Sequence, residues 1–211
     1  MTVSRRAFAL GSAALLSLAA LPAAAQAGLS AADRATLAQA QTYLQNLTSA
    51  RGDFVETAPG GQRRAGRFWL QRPGKMRFEY TDPAGLLVVS DGSNVKRYDP
   101  RLDVFRQVPL GATPLSTFLA RNVRLDQGVR IDRVTRMASG AFAITARDSD
   151  KPNEGSVILA FAGNPVRLQE WTITDAQGGR TRTQLTSLVN EPNLAASLFR
   201  LRDPTRRAGR R

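Results

Sequence analysis

Residues 66–98 read GRFWLQRPGKMRFEYTDPAGLLVVSDGSNVKRY, and the reading of this stretch decides the fold. Phe68, Leu70 and Arg72 alternate with Trp69 and Gln71, the period of a strand with two distinct faces. Pro73 and Gly74 break the ladder, because proline has no N–H to give and glycine accepts positive φ. Met76, Phe78 and Tyr80 resume the alternation against Lys75, Arg77 and Glu79. Asp82-Pro83 turns the chain, and Leu86 to Ser90 forms a third strand. Asp91-Gly92 is a hairpin signal, and Val95 to Tyr98 a fourth strand. Four antiparallel strands therefore present one apolar, aromatic-rich face. Arg72 falls in phase with that face. A charge there is costly unless it is hydrogen-bonded or reaches water where the strand ends at Pro73.

On the N-terminal side, Ser30 to Thr48 carries Leu37, Ala40, Leu44 and Leu47 at helical spacing, with Gln39, Gln41 and Gln45 elsewhere. Ser30, with Asp33 three residues on, resembles a capping box. A short strand at Asp53 to Glu56 and a turn at Pro59 to Gly61 lead into the quoted stretch. On the C-terminal side, Val104 to Val108 is a strand. In the segment Pro109 to Asn122, Thr113 is a candidate N-cap and Pro114 suits a first helical position. Leu115, Phe118 and Leu119 make a short stripe on this helix, which interrupts an otherwise β chain and so is expected to cover something.

From Val129 the pattern is again strand after strand: Val129 to Met137, Ala141 to Arg147, Ser156 to Ala162, Arg167 to Asp175 and Arg180 to Val189. A helical turn at Asn193 to Leu198 and a last strand at Phe199 to Arg202 complete the expectation. The fold class is mainly β: one antiparallel meander of about eleven strands with two or three helices. A single domain spans 28–204, with neither an internal repeat nor a linker. A sheet of this size curls. Periodicity leaves open whether side chains fill its interior or helices plug an open side.

The composition excludes several kinds of chemistry. With no cysteine there is no disulfide, thiol nucleophile or thiolate metal site. With no histidine the commonest general base and metal ligand is missing. No paired-carboxylate motif, Gly-rich phosphate loop or G-x-S-x-G element is visible. The reading is a non-enzyme with no catalytic residue, metal or cofactor.

The net charge of +13 comes from 30 basic and 17 acidic residues. The basic residues are scattered through the strands without interleaved aromatics to stack bases, which argues against nucleic acid. They suit a solvated face or transient contact with an anionic membrane surface.

Residues 1–27 read as a cleaved export signal. Arg5-Arg6 has the twin-arginine arrangement, Ala13 to Leu21 is an apolar core, and Ala25-Gln26-Ala27 is a small-x-small cleavage site. Cleavage there takes the charge from +13 to +11. Residues 205–211, with Arg206, Arg207, Arg210 and Arg211, read as a disordered basic tail that would assist docking on anionic lipid.

The quoted stretch also resembles a known family, the periplasmic outer-membrane lipoprotein carriers of the LolA type. The matching residues are Gly66, Leu70, Arg72-Pro73, Phe78-Glu79-Tyr80, Pro83, Ser90-Asp91-Gly92 and Tyr98-Asp99-Pro100. The likeness extends from about Leu37 to Pro204. It implies an unclosed half-barrel with a helical lid over a hydrophobic cavity, in the periplasm of a Gram-negative bacterium. It also implies a monomer that shuttles acylated lipoproteins from the inner to the outer membrane. The donor would be an inner-membrane ATP-driven exporter, and an outer-membrane acceptor would receive the cargo. By the same resemblance, Phe68, Leu70, Met76, Phe78, Tyr80, Leu115 and Phe118 face the acyl chains. Arg72 would bond lid carbonyls, the matching positions being Leu44, Leu119 and Ala120. The alternative on the same half-barrel is a periplasmic domain that senses lipid or lipoprotein without handing it over.

Overall fold

The computed structural model describes residues 28–113, 115–125 and 127–206. The export signal at 1–27, the arginines at 207, 210 and 211, and the expected role of Pro114 lie outside them. Helix α1 (Ala31–Asn46) begins at Ser30, whose hydroxyl accepts from the Asp33 N–H at 3.0 Å. Its buried residues Thr36, Ala40 and Leu44 recur every four positions and form the stripe that faces the sheet.

Eleven strands follow. The first six are β1 (Ser49–Thr57), β2 (Arg63–Gln71), β3 (Lys75–Asp82), β4 (Leu87–Asp91), β5 (Asn94–Asp99) and β6 (Val104–Pro109). The remaining five are β7 (Val129–Arg136), β8 (Phe142–Asp148), β9 (Gly155–Ala162), β10 (Arg167–Asp175) and β11 (Arg180–Asn190). They form one antiparallel sheet in the order β6-β5-β4-β3-β2-β1-β11-β10-β9-β8-β7. Each hairpin pairs with its neighbour in sequence, but the two halves join through β1 and β11. These strands register from Ala50↔Asn190 to Thr57↔Arg182. The short strand expected at Asp53 to Glu56 is therefore nine residues long and paired on both sides.

This join leaves β6 and β7 as the two free edges, so the sheet is not closed into a barrel. Residues 110–128 run from one edge to the other. This crossover holds a 3₁₀ turn (Leu110–Ala112) and one helical turn, α2 (Leu115–Phe118). It is shorter in helix than the segment Pro109 to Asn122 suggests. The Thr113 hydroxyl donates back to the Leu110 carbonyl at 2.8 Å. Beyond Phe118 the chain unwinds, and its carbonyls turn to partners on the sheet.

The last expected strand, Phe199 to Arg202, does not form. Ala196–Phe199 is a 3₁₀ turn packed on β3 and β4. Those strands are already paired on both sides and offer no edge. Phe199 is buried there, and Arg77 donates to the Leu198 carbonyl at 3.3 Å.

Two apolar clusters line the concave side. One joins Ile144, Leu159 and Phe161 to Ala40 and Leu44 of α1 and to Val123 and Leu125 of the crossover. The other joins Phe54, Phe68, Met76, Phe78 and Tyr80 to Leu110 and Leu119. Trp171 packs against both.

Candidate functional site

The site grows from the break between β2 and β3. Gly74 has φ +75°, and a Cβ on it would come within 2.7 Å of the Gly92 Cα. Only glycine meets both demands, so two hairpin turns nest against each other. The fully buried Ser90 donates to the Gly74 carbonyl at 2.6 Å. Asp91 caps its own turn, accepting from the N–H groups of Ser93 and Asn94 at 2.9 Å each. Burial alone would raise the Asp91 pKa. Lys96, 2.6 Å away, and the turn N–H groups outweigh it and bring it down to about 2. The Arg-Pro-Gly and Ser-Asp-Gly motifs thus form a single rigid node.

That node presents Arg72 to the crossover. Its guanidinium donates to the Phe118 carbonyl from Nε at 3.1 Å and Nη2 at 2.8 Å, and from Nη1 to the Leu44 carbonyl. One cation therefore ties α1 to the crossover across the mouth of the sheet. Burial lowers its pKa to about 10, opposed by the Tyr43 phenol, so it remains a cation at neutral pH. Leu44 is among the acceptors expected, whereas Phe118 takes the place of Leu119 and Ala120. Leu119 gives its carbonyl to the Gly74 N–H at 2.7 Å, and the Ala120 N–H bonds the Thr117 carbonyl at 3.4 Å. With its carbonyl on the Gly74 N–H, Leu119 does not present it to the guanidinium. Phe118, one position earlier, does so.

Beneath these bonds lies a hollow of about 90 Å³ at the seam of the two clusters. Phe68, Leu70, Met76, Phe78, Leu115, Phe118, Leu119 and Leu44 all border it, as does Arg72. Phe68 stacks on Phe78 with centroids 5.8 Å apart, and Trp171 meets Phe78 edge-on at 6.1 Å. These rings are stiff walls. Tyr80 does not border the hollow. It sits deeper, edge-on to Phe54, and donates to Glu56 Oε2 at 2.7 Å, with Arg64 beside that carboxylate. Burial and Glu56 push the phenol pKa well up, so it stays a donor. Strand phase puts Tyr80 on the correct face, but the polar Glu56 partner draws it away from the void.

Other residues of the site left no mark in the reading of the sequence. Gln41 Oε1 accepts from the Leu125 N–H at 3.0 Å, and Gln45 donates to the Val123 carbonyl at 3.2 Å. These glutamines read as the polar face of α1, and their spacing of four was the available signal. Leu159, Leu168, Leu185 and Leu188 form the far wall of the hollow. Among the described residues no group of three acidic side chains is placed to hold a metal ion.

Residues 45–202 match the family described as outer membrane lipoprotein carrier protein LolA. The chain is similar to the outer-membrane lipoprotein carrier protein of Bordetella avium, at 32% identity over 79% of this chain and 83% of that one. It is also similar to those of Methylobacillus flagellatus (29% identity, 79% and 78%) and Ralstonia nicotianae (29% identity, 91% of each).

Proposed function

The chain belongs to the LolA family of outer membrane lipoprotein carriers, and on that premise we propose that the hollow at the seam holds lipoprotein acyl chains, with Arg72 as the latch. The protein is a periplasmic carrier of lipoproteins in the Gram-negative envelope. One observation supports placing the cargo here: an apolar hollow roofed by a crossover that a single buried cation ties down.

The energetics require such a shelter. Each buried CH₂ contributes roughly 0.8 kcal/mol. Three acyl chains carry on the order of 40 such groups, so free passage through water costs about 30 kcal/mol by that coefficient. A carrier without fuel of its own must also let go. The closed hollow, about 90 Å³, is smaller than the cavity of about 150 Å³ known to take one benzene. Loading therefore requires the crossover to lift, which breaks the Arg72 bonds to Phe118. Reclosing remakes them and helps expel the chains. An inner-membrane ATP-driven exporter as donor and an outer-membrane acceptor complete the route, with the carrier working as a monomer.

The test uses the mature protein and an environment-sensitive apolar dye. The dye should bind, and a triacylated lipoprotein should displace it while the acyl-free form of the same protein does not. Equal displacement by both, or no dye binding, removes the hollow as the cargo site.

A further inference from the structure

The sheet has a gap in its wall. The β10–β11 ladder runs only from Thr174↔Arg180 to Glu170↔Gln184. Beyond it β10 stays on β9, with Leu168↔Phe161, and β11 stays on β1, with Leu188↔Gly52. A bulge sits on each side of the parting. Gln169 is the extra residue of β10 against β9, and Thr186 the extra residue of β11 against β1. Bulges increase local twist and end pairing, so two facing bulges drive the strands apart. The parting opens outward as a groove of about 600 Å³. Leu168, Leu185 and Leu188 line both this groove and the inner hollow. The same three leucines therefore separate the inner hollow from a groove whose lining also includes the polar Gln169, Thr186 and Ser187.

Tyr43 of α1 stands over the groove. Its ring is fixed edge-on to Phe161 at 6.0 Å. Its hydroxyl oxygen is buried and has no hydrogen-bond partner among the described residues. Burial raises its pKa, offset in part by the facing Leu168 backbone and by Arg167 and Arg72, so it is a neutral donor. A buried donor left unpaired costs stability and calls for an acceptor.

We propose that the parting between β10 and β11 is a side portal that takes one acyl chain of the cargo, with the ester carbonyl at the head of that chain accepting from Tyr43. The chain passes between Leu168 and Leu188 and lies in the outer groove. A multi-acylated ligand then occupies more volume than the space beneath the crossover alone provides. The inference rests on the carrier reading, and the experiment separates the two.

The chain has no cysteine, so a single introduced one carries a fluorophore uniquely. Three labelled forms are made: Leu70→Cys in the hollow, Val189→Cys at the groove, and Val108→Cys on the distant β6 edge. Each is loaded with a synthetic triacyl lipopeptide bearing a nitroxide on every acyl chain. Quenching at positions 70 and 189, with position 108 unaffected, is the expected result. Quenching at 70 with 189 as bright as 108 overturns the portal and leaves the carrier reading standing. No quenching at 70 overturns both.

Tyr43→Phe supplies the second measurement. It should weaken binding of a diacyl ester lipopeptide by about 3- to 10-fold, the worth of one neutral hydrogen bond. Binding of the dialkyl ether analogue should be unchanged, and thermal stability should not fall. If ester and ether ligands bind the two proteins in the same ratio, the carbonyl contact to Tyr43 is wrong.

Discussion

The two halves of the sheet bury their concave faces in different ways. The half made by β7 to β10 is roofed by α1. Ala40 and Leu44 lie on Ile144, Leu159 and Phe161, and Tyr43 meets Phe161 edge-on. The half made by β1 to β4 has richer aromatic walls, yet its roof is only the crossover, through Leu110 and Leu119. The first is a finished core. The second is covered by a strap with one helical turn, tied by Arg72 and by Gly74. The hollow lies where the two meet. On the proposed function, the half under α1 is the one that stays fixed and the crossover is the cover that lifts.

The largest expected effect tests that division directly. Phe161→Ala removes a fully buried ring under a helix that cannot sink to fill the space, and should cost about 3–5 kcal/mol of stability. Phe68→Ala truncates a ring beside the hollow, where the crossover is free to settle, and should cost at or below the bottom of that range. Chemical denaturation of both variants compares them. Equal losses would mean that the two halves are equally rigid.

Arg72 comes next. Hydrogen bonds to a charged group contribute roughly 1.5–3 kcal/mol, so Arg72→Leu should tighten cargo binding about 10- to 100-fold and stall release. Arg72→Lys keeps the charge without the planar fork and should shift binding less, in the same direction. The readout is the fraction of purified carrier that holds lipoprotein, together with transfer to acceptor membranes. A Leu variant that is empty and unstable would make Arg72 a structural residue and leave the crossover without a latch.

Gln41→Ala and Gln45→Ala release the far end of the crossover from α1. Each should cost about 0.5–1.5 kcal/mol in a melting experiment while leaving cargo affinity near wild type, because that end belongs to the fixed half. A gain in affinity comparable with that of Arg72→Leu would extend the moving part to residue 125.

The smallest effect concerns Asp91, which stabilises the node behind Arg72. Its folded pKa of about 2 lies below the ordinary 3.8. Its contribution is therefore present above pH ~3.8 and fades as pH falls toward about 2. Asp91→Asn should lose about 1 kcal/mol at neutral pH, and the difference from wild type should shrink over that acid window. A difference that stays constant with pH would assign the loss to packing.

Much of this was legible in the chain. All eleven strands follow from two-residue alternation and turn residues, because a hairpin is a local structure and its register is set by its own turn. The glycines and the cation at position 72 announced the node. Phe118 instead of Leu119 as the carbonyl that accepts from Arg72 was not legible, since a backbone acceptor carries no side-chain signature. Nor was the fate of Tyr80, which depends on Glu56, a residue 24 positions away. In the far wall of the site, Leu168, Leu185 and Leu188 read as ordinary strand and become a wall only because β11 leaves β10.

By itself, the sequence determined a mainly β exported chain without thiol or imidazole chemistry, an apolar face bearing one misplaced arginine, and the family to which those motifs belong. Tertiary structure alone decided that β1 pairs with β11, that β6 and β7 remain free edges, and that the crossover between them becomes the cover. It also decided where the wall parts. The reason is the range of the interactions. Alternation and turn chemistry act within a hairpin, whereas the join of two halves, the void at their seam and the bonds that close it depend on groups far apart in sequence, whose meeting is fixed only when the whole sheet has curled.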